Sequence, residues 1–78
     1  MTEKEKYNNA FRESFAIDNG ELSTLSYQSI EKWDSVGHMA LIAVLEDTFD
    51  IMMDMEDIID FSSYEKGFEI LAKYDVEF

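Results

Sequence analysis

Ser35 and His38 stand three positions apart in the run Trp33-Asp34-Ser35-Val36-Gly37-His38-Met39. On a helix that separation brings two side chains to one face, which suggests a serine nucleophile with an imidazole base. The surroundings argue against it. No Gly-x-Ser-x-Gly turn is present to thrust the serine out of a sheet, there is one histidine and no cysteine, and 78 residues leave little material for a substrate cleft. No catalytic residue is assigned, and His38 reads as a partly exposed residue near a helix start.

Carboxylates are the other abundant functional group. The chain has 18 Asp and Glu against 6 Lys and Arg, a net charge of −12, and between Lys32 and Lys66 it has nine carboxylates and no cation. A calcium loop needs oxygen ligands at alternate positions with a glycine at the bend. Asp50-Ile51-Met52-Met53-Asp54-Met55-Glu56 puts apolar side chains at those intervening positions, so no metal site is expected. The charge repels phosphate backbones and anionic lipid surfaces, which excludes nucleic acid and membrane as partners and favours basic proteins. The charged start Met1-Thr2-Glu3-Lys4-Glu5-Lys6 is followed by no apolar run long enough for a signal peptide or a span, so a cytoplasmic monomer is expected.

The elements that hold these residues are legible from spacing. A content of 46% hydrophobic and 14% aromatic residues is too apolar for a disordered acidic tail, and a chain of this length forms one domain, residues 1–78. Thr2 and Glu5 have the form of a capping box, and Tyr7, Ala10, Phe11 and Phe15 recur at helical spacing, predicting a first helix over 3–16. Asp18-Asn19-Gly20 supplies turn chemistry for its end. Residues 21–33 are irregular, with Leu22, Leu25, Tyr27 and Ile30 as pins and Trp33 as anchor; a short helical turn is expected inside so long a loop.

A second helix is predicted over 35–49, capped by Asp34 or Ser35; a short third over 54–60, capped by Asp54; and a fourth over 63–74, capped by Ser62 or Ser63. Phe61 plugs the core between the last two, and Val76 and Phe78 dock the tail. The second helix is apolar almost all round: Ile42, Leu45 and Phe49 form a buried stripe, whereas Val36, Met39, Ala40 and Ala43 lie away from it and require either a second buried face or an outside contact. No alternating β-branched runs appear. The expected fold is all-α, a small four-helix bundle with a long loop between helices one and two and a short third helix.

Trp33-Asp34-Ser35-Val36-Gly37-His38-Met39, set after a long loop and before an apolar helix ending Leu45-Glu46-Asp47-Thr48-Phe49-Asp50, resembles the modification site of acyl carrier proteins. The likeness extends over nearly the whole chain. It implies an acyl-carrier-like bundle in which Ser35 receives 4'-phosphopantetheine from coenzyme A through a phosphopantetheinyl transferase, with Asp34 beside it; apart from the resemblance, His38, three positions on, is expected to contact the phosphodiester. By the same resemblance Val36, Met39 and Ala43 meet the arm or a docking enzyme, and Glu46 and Asp47 meet basic partner residues. The implied function is that of a non-catalytic carrier. It would hold an acyl group as a thioester and deliver it from an acyl- or aminoacyl-loading ligase to downstream acyl-using enzymes with basic docking surfaces.

A phosphodiester at a helix N-terminus is favoured by the free N–H groups and the helix dipole, which supports the assignment independently. Gly37, His38 and Ala40 depart from the fatty-acid-type pattern and point to a dedicated biosynthetic pathway. Gly37 costs helix stability, about 1 kcal/mol against Ala, and is expected to clear space beside the arm. Two other functions stay open: an aminoacyl or peptidyl carrier using the same serine, and an acidic interaction module with no prosthetic group that docks through Met39, Met52, Met53 and Met55.

Overall fold

Thr2 opens the chain's first helix by accepting a hydrogen bond on its hydroxyl from the Glu5 N–H at 3.1 Å, and the same hydroxyl donates to the Glu5 carboxylate at 3.3 Å. In the computed structural model, which describes residues 2–17 and 19–78 with Asn19 and Glu21 as backbone only, the helices are α1 (Glu3–Phe15), α2 (Ser35–Phe49), α3 (Met55–Asp60) and α4 (Tyr64–Ala72). Among the described residues there is no strand beyond an isolated bridge between Ser26 and Ser63. The architecture is an all-helical small bundle. None of its helices is long and apolar enough to cross a membrane.

The expected elements form, with shifted ends. α1 stops at Phe15 because Ala16 adopts the left-handed conformation, φ 53°, and its N–H closes onto the Arg12 carbonyl at 2.7 Å. The turn therefore precedes Asp18-Asn19-Gly20: Asp18 lies outside the described residues, while Asn19 and Gly20 begin a 3₁₀ segment, Asn19–Thr24, the helical turn expected within the loop. α3 begins at Met55, with Asp54 at its cap position but making no side-chain cap bond. α4 begins after Ser63, whose hydroxyl accepts from Lys66 N–H at 3.0 Å, and it ends at Ala72 in a turn over 73–75.

Aromatic rings build the core. Tyr7, Phe11 and Phe15, four apart on α1, are fully buried. Phe15 stacks on Trp33 at 5.3 Å, Phe11 meets the same indole edge-on at 5.5 Å, and Phe61 lies at 6.3 Å from Phe11. The Tyr7 hydroxyl donates to the Tyr64 carbonyl at 2.6 Å, and burial pushes its ionisation well above the usual phenol range. Val76 is buried, and Phe78 packs edge-on against Phe68 at 4.7 Å, so the tail docks as expected. Leu41, Ile42 and Leu45 are the buried residues of α2; Phe49, expected among them, is half-buried.

The long loop is tied down at three points. Leu22 and Leu25 are buried, Trp33 is wholly inside, and the bridge region pairs Tyr27 N–H with the Ser62 carbonyl at 2.7 Å and Tyr64 N–H with the Leu25 carbonyl at 3.0 Å. That pairing holds the loop against the α3–α4 junction. On the far side of α3, the Asp57 carboxylate accepts from the Tyr74 hydroxyl at 2.6 Å and from Lys73 Nζ at 3.0 Å. These two bonds, Tyr74 first, hold the Asp57 carboxyl below the usual carboxylate range.

Candidate functional site

The start of α2 is built by Asp34. Its backbone is extended, its carboxylate accepts from Gly37 N–H at 2.8 Å, and its carbonyl accepts from His38 N–H at 2.7 Å. Asp34 thus does the capping, and Ser35, the first residue of the helix, is relieved of it. Ser35 is exposed, and among the described residues no hydrogen bond engages its hydroxyl. A free hydroxyl stands at the positive end of a 15-residue helix.

Beside Ser35 a groove of about 350 Å³ opens between α2 and α3. Met39, Ile58, Ile59 and Phe61 give it an apolar lining, joined by Ser35, His38, Tyr27 and Ser62. Such a concave apolar site with a few polar groups is a common ligand-site composition. Sequence reasoning had not placed Tyr27, Ile58, Ile59, Phe61 or Ser62 there. One signal was available: a six-residue α3 carries Met55, Ile58 and Ile59, three large apolar side chains spread over its circumference at about 100° per residue, more than one short contact face covers. Ile59 is in fact 73% exposed.

His38 does something other than expected. Its Nδ1 accepts from the Trp33 indole N–H at 3.0 Å, and its Nε2 lies 2.7 Å from the Ile58 carbonyl. Both ring nitrogens are committed inside the protein, so the expected contact of His38 with a phosphodiester on Ser35 is corrected to a structural link between the loop, α2 and α3. The same commitments leave it unsuited to serve as a base for Ser35.

Gly37 is likewise reassigned. A Cβ built there would lie 1.8 Å from the Lys32 carbonyl oxygen, so the glycine admits a close approach of the preceding turn rather than clearing space beside an arm.

The remaining site residues separate into two groups. Val36 at 77% and Met39 at 53% are exposed, as are Ala40 and Ala43, which answers the question of the second apolar set: it faces outward. Asp47 is exposed, but Glu46 is half-buried and one of its carboxylate oxygens accepts from Met53 N–H at 2.8 Å. Glu46 therefore fastens the α2–α3 connection, a use the sequence did not suggest. Exposed Met52 in the α2–α3 connection and Met55, Glu56 and Asp60 on α3 extend the apolar and acidic surface. Among the described residues no three His, Cys, Asp or Glu side chains gather into a metal site.

Compared with protein-family models, with curated proteins and with solved structures, the chain finds no match.

Proposed function

We propose that the protein is a carrier whose Ser35 hydroxyl takes 4'-phosphopantetheine from coenzyme A, and which delivers an acyl group to partner enzymes. The single observation that carries this is the division of labour at the start of α2. Asp34 satisfies the helix end and leaves Ser35 exposed, unbonded and adjacent to an apolar groove. A serine used as the cap would have its hydroxyl engaged by a helix N–H; here Asp34 takes that N–H instead.

The residues fit the group. Ser35 provides the attachment oxygen, the first turn of α2 provides a favourable potential for the phosphodiester, and Met39, Ile58 and Ile59 offer apolar surface next to it. When bound, the group supplies a thiol on a long flexible arm to which the acyl cargo is joined. The chain's own part is to present, shelter and dock. The apolar lining favours an acyl over an aminoacyl cargo. Exposed Val36, Met39 and Ala43 with Asp47 nearby suit brief contacts with an enzyme that brings apolar and basic residues together. A loading ligase, the phosphopantetheinyl transferase and acyl-using enzymes of a dedicated pathway are the partners this implies.

The test is an intact mass. Wild type incubated with coenzyme A and a broad-specificity phosphopantetheinyl transferase is expected to gain one arm, and Ser35→Ala none. Because the Ser35 hydroxyl has no internal partner, the variant should stay within about 0.5 kcal/mol of wild-type stability, so unfolding would not explain its silence. No gain by wild type, or an equal gain by the variant, removes the carrier function and leaves the acidic interaction module in its place, with Met39, Met52 and Met55 on its surface and Met53, expected there too, buried instead.

A further inference from the structure

His38 is where the loop, α2 and α3 are joined, and the chemistry of its neighbours fixes its state. The Trp33 indole nitrogen is a donor only, so the His38 Nδ1 that it meets at 3.0 Å carries a lone pair and the ring proton sits on Nε2. That N–H points at the Ile58 carbonyl, 2.7 Å away. The ring cannot turn easily: it lies within 16° of parallel to the Trp33 indole and meets Tyr27 and Phe61 edge-on.

The receiving end is a helix unable to hold itself. α3 has six residues, below what helix propagation stabilises alone, and its cap position Asp54 makes no side-chain bond. The Ile58 carbonyl is in its last turn, where helix carbonyls lack partners within the helix; besides His38 it has only a long 3.4 Å contact from Phe61 N–H. α3 is therefore placed by its tertiary bonds, Asp57 to Tyr74 and Lys73 on one side and Ile58 to His38 on the other. His38, Ile58 and Ile59 all line the groove beside Ser35.

We propose that His38 is a positioning residue: its neutral imidazole, protonated on Nε2, is a strut from the buried Trp33 to the Ile58 carbonyl that sets how far α3 stands from α2, and so the width of the groove at Ser35. Breaking the Ile58 bond while keeping the Trp33 bond frees α3 to swing. That the groove shelters an acyl chain rests on the carrier function above; the strut itself does not.

Two substitutions separate the two bonds. In His38→Asn the side-chain oxygen reaches the Trp33 N–H, but the chain is too short for Ile58. In His38→Gln the amide nitrogen reaches the Ile58 carbonyl and the Trp33 acceptor is lost. Amide hydrogen exchange is followed on the unmodified protein. Relative to α1, exchange in α3 is expected to quicken roughly five- to tenfold in His38→Asn, the equivalent of one lost hydrogen bond, and to stay within about twofold of wild type in His38→Gln.

Equal α3 exchange in the two variants, or a rise shared evenly by α1 and α4, overturns the proposal. Should neither variant fold, nitrogen NMR of the wild-type ring decides: the Nε2–H tautomer supports the strut and an Nδ1–H tautomer refutes it. None of these readouts needs the arm, so a negative mass measurement on Ser35 and a negative exchange result are separate failures.

Discussion

Gly37→Ala sets helix propensity against a steric contact, and the structure decides the sign. Within a helix, alanine is preferred over glycine by about 1 kcal/mol, which alone predicts a stabilised protein. The added Cβ, however, would fall 1.8 Å from the Lys32 carbonyl oxygen and 3.0 Å from its carbon, where real contacts stay beyond 3.0 Å. That oxygen is backbone and cannot rotate aside. It belongs to a turn closed by Gln28 N–H on the Trp33 carbonyl at 2.9 Å and by Trp33 N–H on the Ile30 carbonyl at 3.2 Å, with the Trp33 ring wholly buried behind it.

Moving the turn is comparable to overpacking, at roughly 1–3 kcal/mol, and strains a hydrogen bond of about 1 kcal/mol. Against the propensity gain, the net expectation is a loss of about 2 kcal/mol, or a melting point about 10 °C lower for a domain of this size. Urea unfolding followed by Trp33 fluorescence measures it. Gly20→Ala is the control, since nothing lies within 4 Å of its added Cβ; it should be neutral or stabilising by up to about 1 kcal/mol. A Gly37→Ala protein as stable as wild type would refute the reasoning.

Three further outcomes are expected. Asp34→Ala removes the cap bonded to Gly37 N–H and should cost about 1 kcal/mol in urea unfolding, well above the effect of Ser35→Ala. Asp57 has a carboxyl held below its ordinary value by Tyr74 and Lys73, so its stabilisation is present above the unfolded pKa, about 3.9, and is lost as pH falls through the lower folded value. Asp57→Asn should therefore be less stable at pH 7 and show a smaller loss between pH 5 and pH 2 when unfolding midpoints are compared. Tyr7 is buried with its ionisation pushed up, so its contribution is intact below about pH 10 and declines above it, where the unfolded phenol ionises first. Tyr7→Phe should lose about 1 kcal/mol at pH 7 and show a shallower alkaline decline.

The amino-acid sequence by itself determined the features governed by near neighbours. Four helices follow from apolar residues at three- and four-residue spacing, and the cap at Thr2 from a side chain that bonds the N–H three positions on; between Asp34 and Ser35, and between Ser62 and Ser63, the structure chose Asp34 and Ser63, while Asp54 makes no cap bond. Trp33 as an anchor and Ser35 at the head of α2 were legible for the same reason. Helix ends were less so, since Ala16 and Asp50 take left-handed angles without glycine at the position, and only the packing around them stabilises that.

What the tertiary structure alone decided are the pairings of residues distant along the chain. Glu46, read as a partner contact, holds Met53 N–H; Gly37, read as clearance for an arm, admits the Lys32 carbonyl; His38, read as a phosphate ligand, joins Trp33 to Ile58. The groove exists because a bond spanning 20 residues holds α3 to α2, while bonds spanning 16 and 17 residues tie the other side of α3 to the turn after α4. Local periodicity shows which face of a helix is apolar, but it does not record which other element covers that face. For Ser35 the sequence supplied the position, and the fold supplied the free hydroxyl and the apolar groove beside it.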